Sequence, residues 1–223
     1  MARFDEELMH LKEMVLKMGA MVESSIKDSV KSLVERNDDL AKAVIERDHQ
    51  INALDVQIDE ECIRLIAIMQ PKAGDLRFLT TAMKITTDLE RMGDNAVNIA
   101  ERALELNKEP ILKPYIDIPH MSQIAQGMTR DTLDAFVRRD KRLAMDVIMR
   151  DDEVDDLKYG ILEELISYMI RDPNTIYRAM KISFVAQYLE RIADHATNIA
   201  EMVIYLVAGK IIRHMAPPIE SEK

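Results

Sequence analysis

Two segments of the chain, DLERMGDNAVNIAERAL at 88–104 and YLERIADHATNIAEMVI at 188–204, repeat a Glu, an Asp, an Asn and a Glu in the same order and spacing. At about 100° per residue of helix, Glu90, Asp94, Asn98 and Glu101 fall within roughly 80° of one another, and Glu190, Asp194, Asn198 and Glu201 repeat that geometry. Carboxylates four residues apart on one helix, met by carboxylates from a second helix, bind a hard or borderline cation through oxygen. Asp55 and Asp59, in LDVQIDEEC, supply such a second set. The corresponding region of the second half holds Asp151, Asp152, Asp155 and Asp156, of which Asp152 and Asp156 are taken as the matching pair. Lys158 and Tyr159 interrupt it where a closer copy would carry acids, so the second site is expected to be weaker or differently built. A solvated helix face with local ion pairs, such as Glu101 with Arg102, produces the same spacing, and the stripe alone does not separate the two readings.

Other chemistries find less support. A ferritin-like di-iron plan needs Glu-x-x-His on the helices that carry the acidic stripes, and neither signature offers it. The chain contains no glycine-rich phosphate loop, HExxH or GxSxG. His10, His49, His120, His195 and His214 are scattered, and His195 has Asn95 as its counterpart in the other copy. No nucleophile stands at readable spacing from a base, so no catalytic residue is assigned and a non-enzyme is expected. The methionines sit among leucines at helical spacing and read as plastic core filler, and Cys62 as a core thiol.

The elements that must carry the stripes are helices. Aromatic residues make up 4% of the 223-residue chain, tryptophan is absent, and Met, Leu, Ala, Glu and Lys are abundant. Asp5 is a candidate cap for a first helix running to about Asn37. A second runs from Asp38 until QPKAG breaks it at Pro71, and a third from about Asp75 to Leu106. Pro110, Pro114 and Pro119 then mark a linker, after which helices are expected over 121–139, 140–170 and 174–207. Leu89, Gly93, Ala96, Ala100 and Ala103 form a small-residue face beside the first stripe, as do Leu189, Ala193, Ala196 and Ala200 beside the second, which puts the acids at helix–helix seams.

The restart is an internal repeat. Residues 27–51 align without gaps on 130–154, pairing Asp28 with Asp131, Arg36 with Arg139, Leu40 with Leu143 and Arg47 with Arg150. This predicts an all-α chain of two pseudo-symmetric three-helix bundles, six long helices from an internal duplication. The halves are 1–107 and 121–223, the latter with a short C-terminal tail, joined by a proline-containing linker at 108–120. A net charge of -10 disfavours nucleic acid as a partner. The acidic N-terminus MARFDEELMH lacks the features of a signal peptide, no apolar run is long enough to span a membrane, and the expected location is the cytoplasm.

The two signatures, together with IDEECIRLIAIMQPKAGDLR at 58–77 and GKIIRHM at 209–215, resemble the PhoU family of bacterial phosphate uptake and signalling. The resemblance covers nearly the whole chain. It implies a non-catalytic adaptor that acts between the phosphate-specific ABC transporter and a membrane sensor histidine kinase and keeps phosphate-starvation genes off when phosphate is plentiful. It also implies a homodimer or higher homo-oligomer that touches the membrane only through its partners. Some members carry multinuclear iron or other metal clusters at paired E(D)xxxD motifs. These carry over onto Glu90 with Asp94, Glu190 with Asp194 and Asp55 with Asp59, with iron, Zn, Mn, Mg or Ni as the candidate ions. The departures are Ala193 in place of Gly93 and the Lys158–Tyr159 interruption, which make the second cluster the less secure. The rival readings are a metal-dependent hydrolase using the same carboxylates and a purely structural dimerising bundle.

Overall fold

Asn37 and Asp140 open the second helix of each half in the same way. The Asn37 side chain accepts the Leu40 N–H at 3.0 Å, and Asp140 accepts those of Arg142 and Leu143 at 2.9 and 3.1 Å. Caps of this kind contribute about 1 kcal/mol each by satisfying orphan N–H groups. One residue earlier, Arg36 and Arg139 both turn the chain through the left-handed region, with φ of 55° and 56°. That conformation costs a non-glycine residue about 1–2 kcal/mol. At Arg36 the guanidinium offsets part of it by donating to the carbonyl oxygens of Asn107 and Glu109.

The computed structural model describes residues 2–209. Its α-helices are α1 (Ala2–Val34), α2 (Asp38–Met69), α3 (Ala73–Leu106), α4 (Asp117–Arg138), α5 (Lys141–Met149), α6 (Asp151–Arg171) and α7 (Ile176–Ala208). Helices α1 to α3 pack on one another, and α4 packs with the α5–α6 rod and α7. The halves join most extensively along α3 and α7, with α1 lying against α4. Apolar residues three and four apart build this core: Leu11, Val15, Met18, Val22 and Ile26 of α1 are fully buried, as are Leu89, Met92, Ala96 and Ala100 of α3. The Cys62 thiol is buried too, and burial pushes its pKa up to about 12, which makes it inert.

Three helix boundaries differ from the sequence expectation. Helix α1 is already formed at Ala2, so Asp5 lies in its first turn and not at its cap. Helix α4 begins at Asp117, because Pro119 falls in the first turn, where a missing N–H breaks no helical bond. The rod expected over 140–170 is interrupted at Arg150, whose N–H returns to Val147 O at 3.1 Å in a tightened turn. Asp151, Asp152 and Glu153 follow in the first turn of α6, where the helix dipole favours acids. The GKIIRHM motif lies outside the described residues from Lys210 onward.

Pairs matched by the repeat do the same work in both halves. Arg47 Nη2 meets Asp28 Oδ2 at 2.9 Å and Arg150 Nη2 meets Asp131 Oδ2 at 2.7 Å, each bridging the first and second helices of its half. Across the halves, Phe78 of α3 stacks on Phe136 of α4 with centroids 5.0 Å apart. His195 Nδ1 lies 2.8 Å from Asp88 Oδ1, and Lys181 Nζ lies 2.6 Å from Glu105 Oε2. Between the halves, Lys113 buries its ammonium against Glu164 of α6 and so pins the connection to the second bundle. Among the described residues no helix is long and apolar enough to cross a membrane.

Candidate functional site

Glu90 and Asp94 of α3 face acids of α2. Gly93 is buried on that side, and a Cβ there would come within 3.3 Å of Asp48 Oδ1 and 3.4 Å of Ile51 Cδ1. The glycine therefore lets the Asp48 carboxylate lie close against the α3 backbone. Around it the seam collects Asp55 and Asp59 from α2 and Glu90 and Asp94 from α3. Burial, then the charges of Asp94, Asp55 and Asp48, raise the pKa of Glu90, with Arg91 opposing them. Asp94 is exposed at the rim of the seam, where partial desolvation and Asp48 raise its pKa, while burial and Asp55 raise that of Asp59.

Four oxygens of this seam are buried with no hydrogen-bond partner: Asp48 Oδ1, Asn52 Oδ1, Asp55 Oδ1 and Asp59 Oδ1. Asn52 Nδ2 donates to the other Asp48 oxygen at 2.8 Å. Orphaned acceptors on mutually repelling carboxylates are what a cation relieves, and a set made only of oxygen suits a hard or borderline ion. Among the described residues, no three His, Cys, Asp or Glu side chains converge tightly enough to hold an ion as they stand. The donor set of the first half thus fits a cation in kind and in its unmet acceptors, and closing on one requires side-chain rotation.

The second half is built differently. Glu190 and Asp194 of α7 face α6 as Glu90 and Asp94 face α2, but the acids that meet them are Asp151 and Asp155. Asp152 and Asp156 are exposed on other faces of α6, and Asp156 lines a shallow depression with Asp117, Glu153 and Gly160. The repeat's own offset, Asp28 to Asp131, identifies the right register: it carries Asp48 to Asp151, Asn52 to Asp155, Asp55 to Lys158 and Asp59 to Leu162. The four-residue spacing of acids does not mark Asp48 and Asn52, which only the repeat offset aligns with Asp151 and Asp155. Lys158 Nζ lies 2.8 Å from Glu190 Oε1 and 3.7 Å from Asp155 Oδ1. None of the four second-half carboxylates has an orphaned buried oxygen.

The outer members of each stripe stand apart from these clusters. Glu101 is exposed and pairs with Arg102 at 3.3 Å, as a solvated helix face would. Asn98, Asn198 and Glu201 are partly buried farther along α3 and α7. Spacing on one helix gave them the same face, but their partners are set by which part of the neighbouring helix lies opposite.

Asp151 provides a pH-dependent test. Burial first, then the charges of Asp194, Asp155 and Asp152, raise its pKa from 3.8 to about 6. Because the folded value is the higher one, this group's stabilising contribution is complete below 3.8 and is lost as pH rises through about 6. Asp151→Asn is therefore expected to raise the thermal midpoint of metal-free protein at pH 7, with the gap to wild type closing as the pH is lowered towards 5. Midpoints measured across that range check it. A variant less stable than wild type at pH 7 would mean that the carboxylate is stabilised in the fold.

Two consecutive three-helix bundles, each with an acidic seam between its second and third helices, define the class of protein. The PhoU domain model matches twice, over residues 15–103 and 118–203. The chain belongs to the PhoU family. It is 48% identical over 209 residues to the phosphate-specific transport system accessory protein PhoU homolog of Aquifex aeolicus, covering 94% of this chain and 95% of that one. The crystal structure of PhoU from Pseudomonas aeruginosa superposes with a TM-score of 0.89 at 42% identity, over 93% of this chain and 100% of that one. That of the phosphate transport system regulatory protein PhoU from Streptococcus pneumoniae gives 0.87 at 30% identity, over 93% and 98%.

Proposed function

We propose that the protein is a cytoplasmic regulator of phosphate uptake that works by contact and not by catalysis. It is held between the phosphate-specific ABC transporter and a membrane sensor histidine kinase and keeps starvation genes off when phosphate is plentiful. The observation that carries this reading is the double PhoU match, spanning both bundles and shared with relatives named for the phosphate-specific transport system. The fold supports it with exposed apolar positions at equivalent places on the outer faces of α2 and α6. Val56 and Tyr159 are 56% and 58% exposed, and Ile63 and Ile166 are 58% and 42% exposed. Ile170 extends the α6 stripe, and a partner is a common reason for such a face.

In this reading the protein assembles as a homodimer, and a divalent cation sits on the α2–α3 seam. Glu90 and Asp94 with the nearest α2 acids, Asp48 and Asp55, would hold it, Asp59 lying farther along the seam, and its charge would relieve their mutual repulsion and fix α2 against α3. The role of the cation is structural. The test is binding of the purified full-length protein to the transporter reconstituted in lipid nanodiscs. Saturable binding is expected, reduced at least tenfold by Ile166→Lys with Ile170→Lys and kept by Glu90→Gln with Asp94→Asn. Absence of any binding to the transporter would contradict the proposal.

A further inference from the structure

The two seams descend from one duplicated unit, yet they meet their negative charge by different means. In the first, Asp48 and Asp55 of α2 face Glu90 and Asp94 of α3, Asp59 lies beside Asp55, and acceptor oxygens remain buried without partners. In the second, the position equivalent to Asp55 is Lys158, whose ammonium bonds Glu190 and approaches Asp155. Burial, Glu190 and Asp155 still raise the pKa of Asp194, and this lysine and His195 oppose that rise. The position equivalent to Asp59 is Leu162, which removes a further oxygen ligand, and Ala193 adds the methyl group that Gly93 lacks.

We infer that Lys158 is the resident cation of the second seam, so that the chain takes divalent metal in its first half only. A tethered ammonium occupies the place a metal would fill and is not lost on dilution or chelation, so this half keeps one fixed positive charge in its α6–α7 seam whatever the metal supply. It cannot substitute for a metal in the first half, where position 55 carries an acid. The two halves thereby become chemically distinct: one seam responds to cation concentration, and the other carries a fixed ion pair that needs none. The inference rests on the proposed metal binding of the first seam, but its statement about Lys158 can be tested separately.

The experiment is equilibrium binding of Mn²⁺ to chelator-stripped, full-length protein, read by elemental analysis after dialysis and by calorimetry. Wild type is expected to lose all bound Mn²⁺ in Glu90→Gln with Asp94→Asn and none in Glu190→Gln with Asp194→Asn. Lys158→Asp should add a second class of Mn²⁺ sites, and that class should persist when Glu90→Gln and Asp94→Asn are added, a gain that misfolding cannot mimic. Loss of Mn²⁺ from the Glu190/Asp194 variant, or no new class in Lys158→Asp, would overturn the inference. If wild type took no Mn²⁺ while Lys158→Asp did, the first-seam reading would fall and the role of Lys158 would stand. If neither took any, both would fall.

Discussion

Phe136→Ala is expected to lower the stability of the protein by about 3–5 kcal/mol, as truncation of a fully buried aromatic does through lost transfer energy and the cavity left behind. Phe136 has no exposed surface, and its ring lies 5.0 Å from that of Phe78, inclined by 12°. Phe78 in turn carries the Lys12 ammonium at 5.3 Å from its ring centroid and is itself 1% exposed. The stack joins α3 of the first bundle to α4 of the second, so its loss weakens the contact between bundles as well as the core. An offset aromatic pair adds about 0.5–1.5 kcal/mol beyond its buried area, and Phe136→Leu should therefore recover only part of the loss. Denaturant unfolding measures both variants. A loss below about 1 kcal/mol for Phe136→Ala would mean that the site collapses around the change and the bundles do not depend on this contact.

Glu90→Gln with Asp94→Asn should have opposite effects on the two forms of the protein. Amides are poorer ligands than carboxylates for hard cations, so the variant should no longer gain stability from added Mn²⁺. For wild type, that gain is about 2.7 kcal/mol at a hundredfold excess over Kd. Without metal, the variant should be the more stable, because the pKa values of both carboxylates are raised by burial and by neighbouring acids, chiefly Asp48 for Asp94. Raised folded pKa values mean that the charged forms cost stability, so the advantage should be present at pH 7 and fade on acidification. Thermal midpoints with and without Mn²⁺, at two pH values, measure both effects. An equal Mn²⁺-induced rise in wild type and variant would return Glu90 and Asp94 to the status of a solvated face.

Helical periodicity and the internal repeat carried most of the architecture, because Leu11, Val15 and Met18 or Leu89, Met92 and Ala96 can be buried together only on a helix. The repeat reached further than periodicity did: residues matched at 28 and 131, 36 and 139, and 47 and 150 turned out to share ion pairs and backbone conformation. The break at Arg150 was not legible, since no proline or glycine marks it and the match to 27–51 runs straight through it. At the site, the acid spacing on α3 was readable, whereas the choice of Asp152 and Asp156 was off by one residue. A shift of one position turns a helix by about 100° and moves a carboxylate from the seam to solvent. Asn98 and Glu101 shared the stripe but not its partners, because the extent of a seam depends on the helix opposite and no single-helix pattern contains that.

The central claim, regulation of phosphate uptake by contact, is tested most directly by a phosphate-starvation promoter reporter in a strain lacking the protein, grown at high phosphate. Deletion should switch the promoter on, and wild type should switch it off. The Ile166→Lys/Ile170→Lys variant should leave it on, and Glu90→Gln with Asp94→Asn should retain most repression, since in the proposed reading the ion is structural and regulation works by contact. Full loss of repression in the folded carboxylate variant, with repression intact in the α6 surface variant, would contradict the account and favour a metal-dependent activity at the α2–α3 seam.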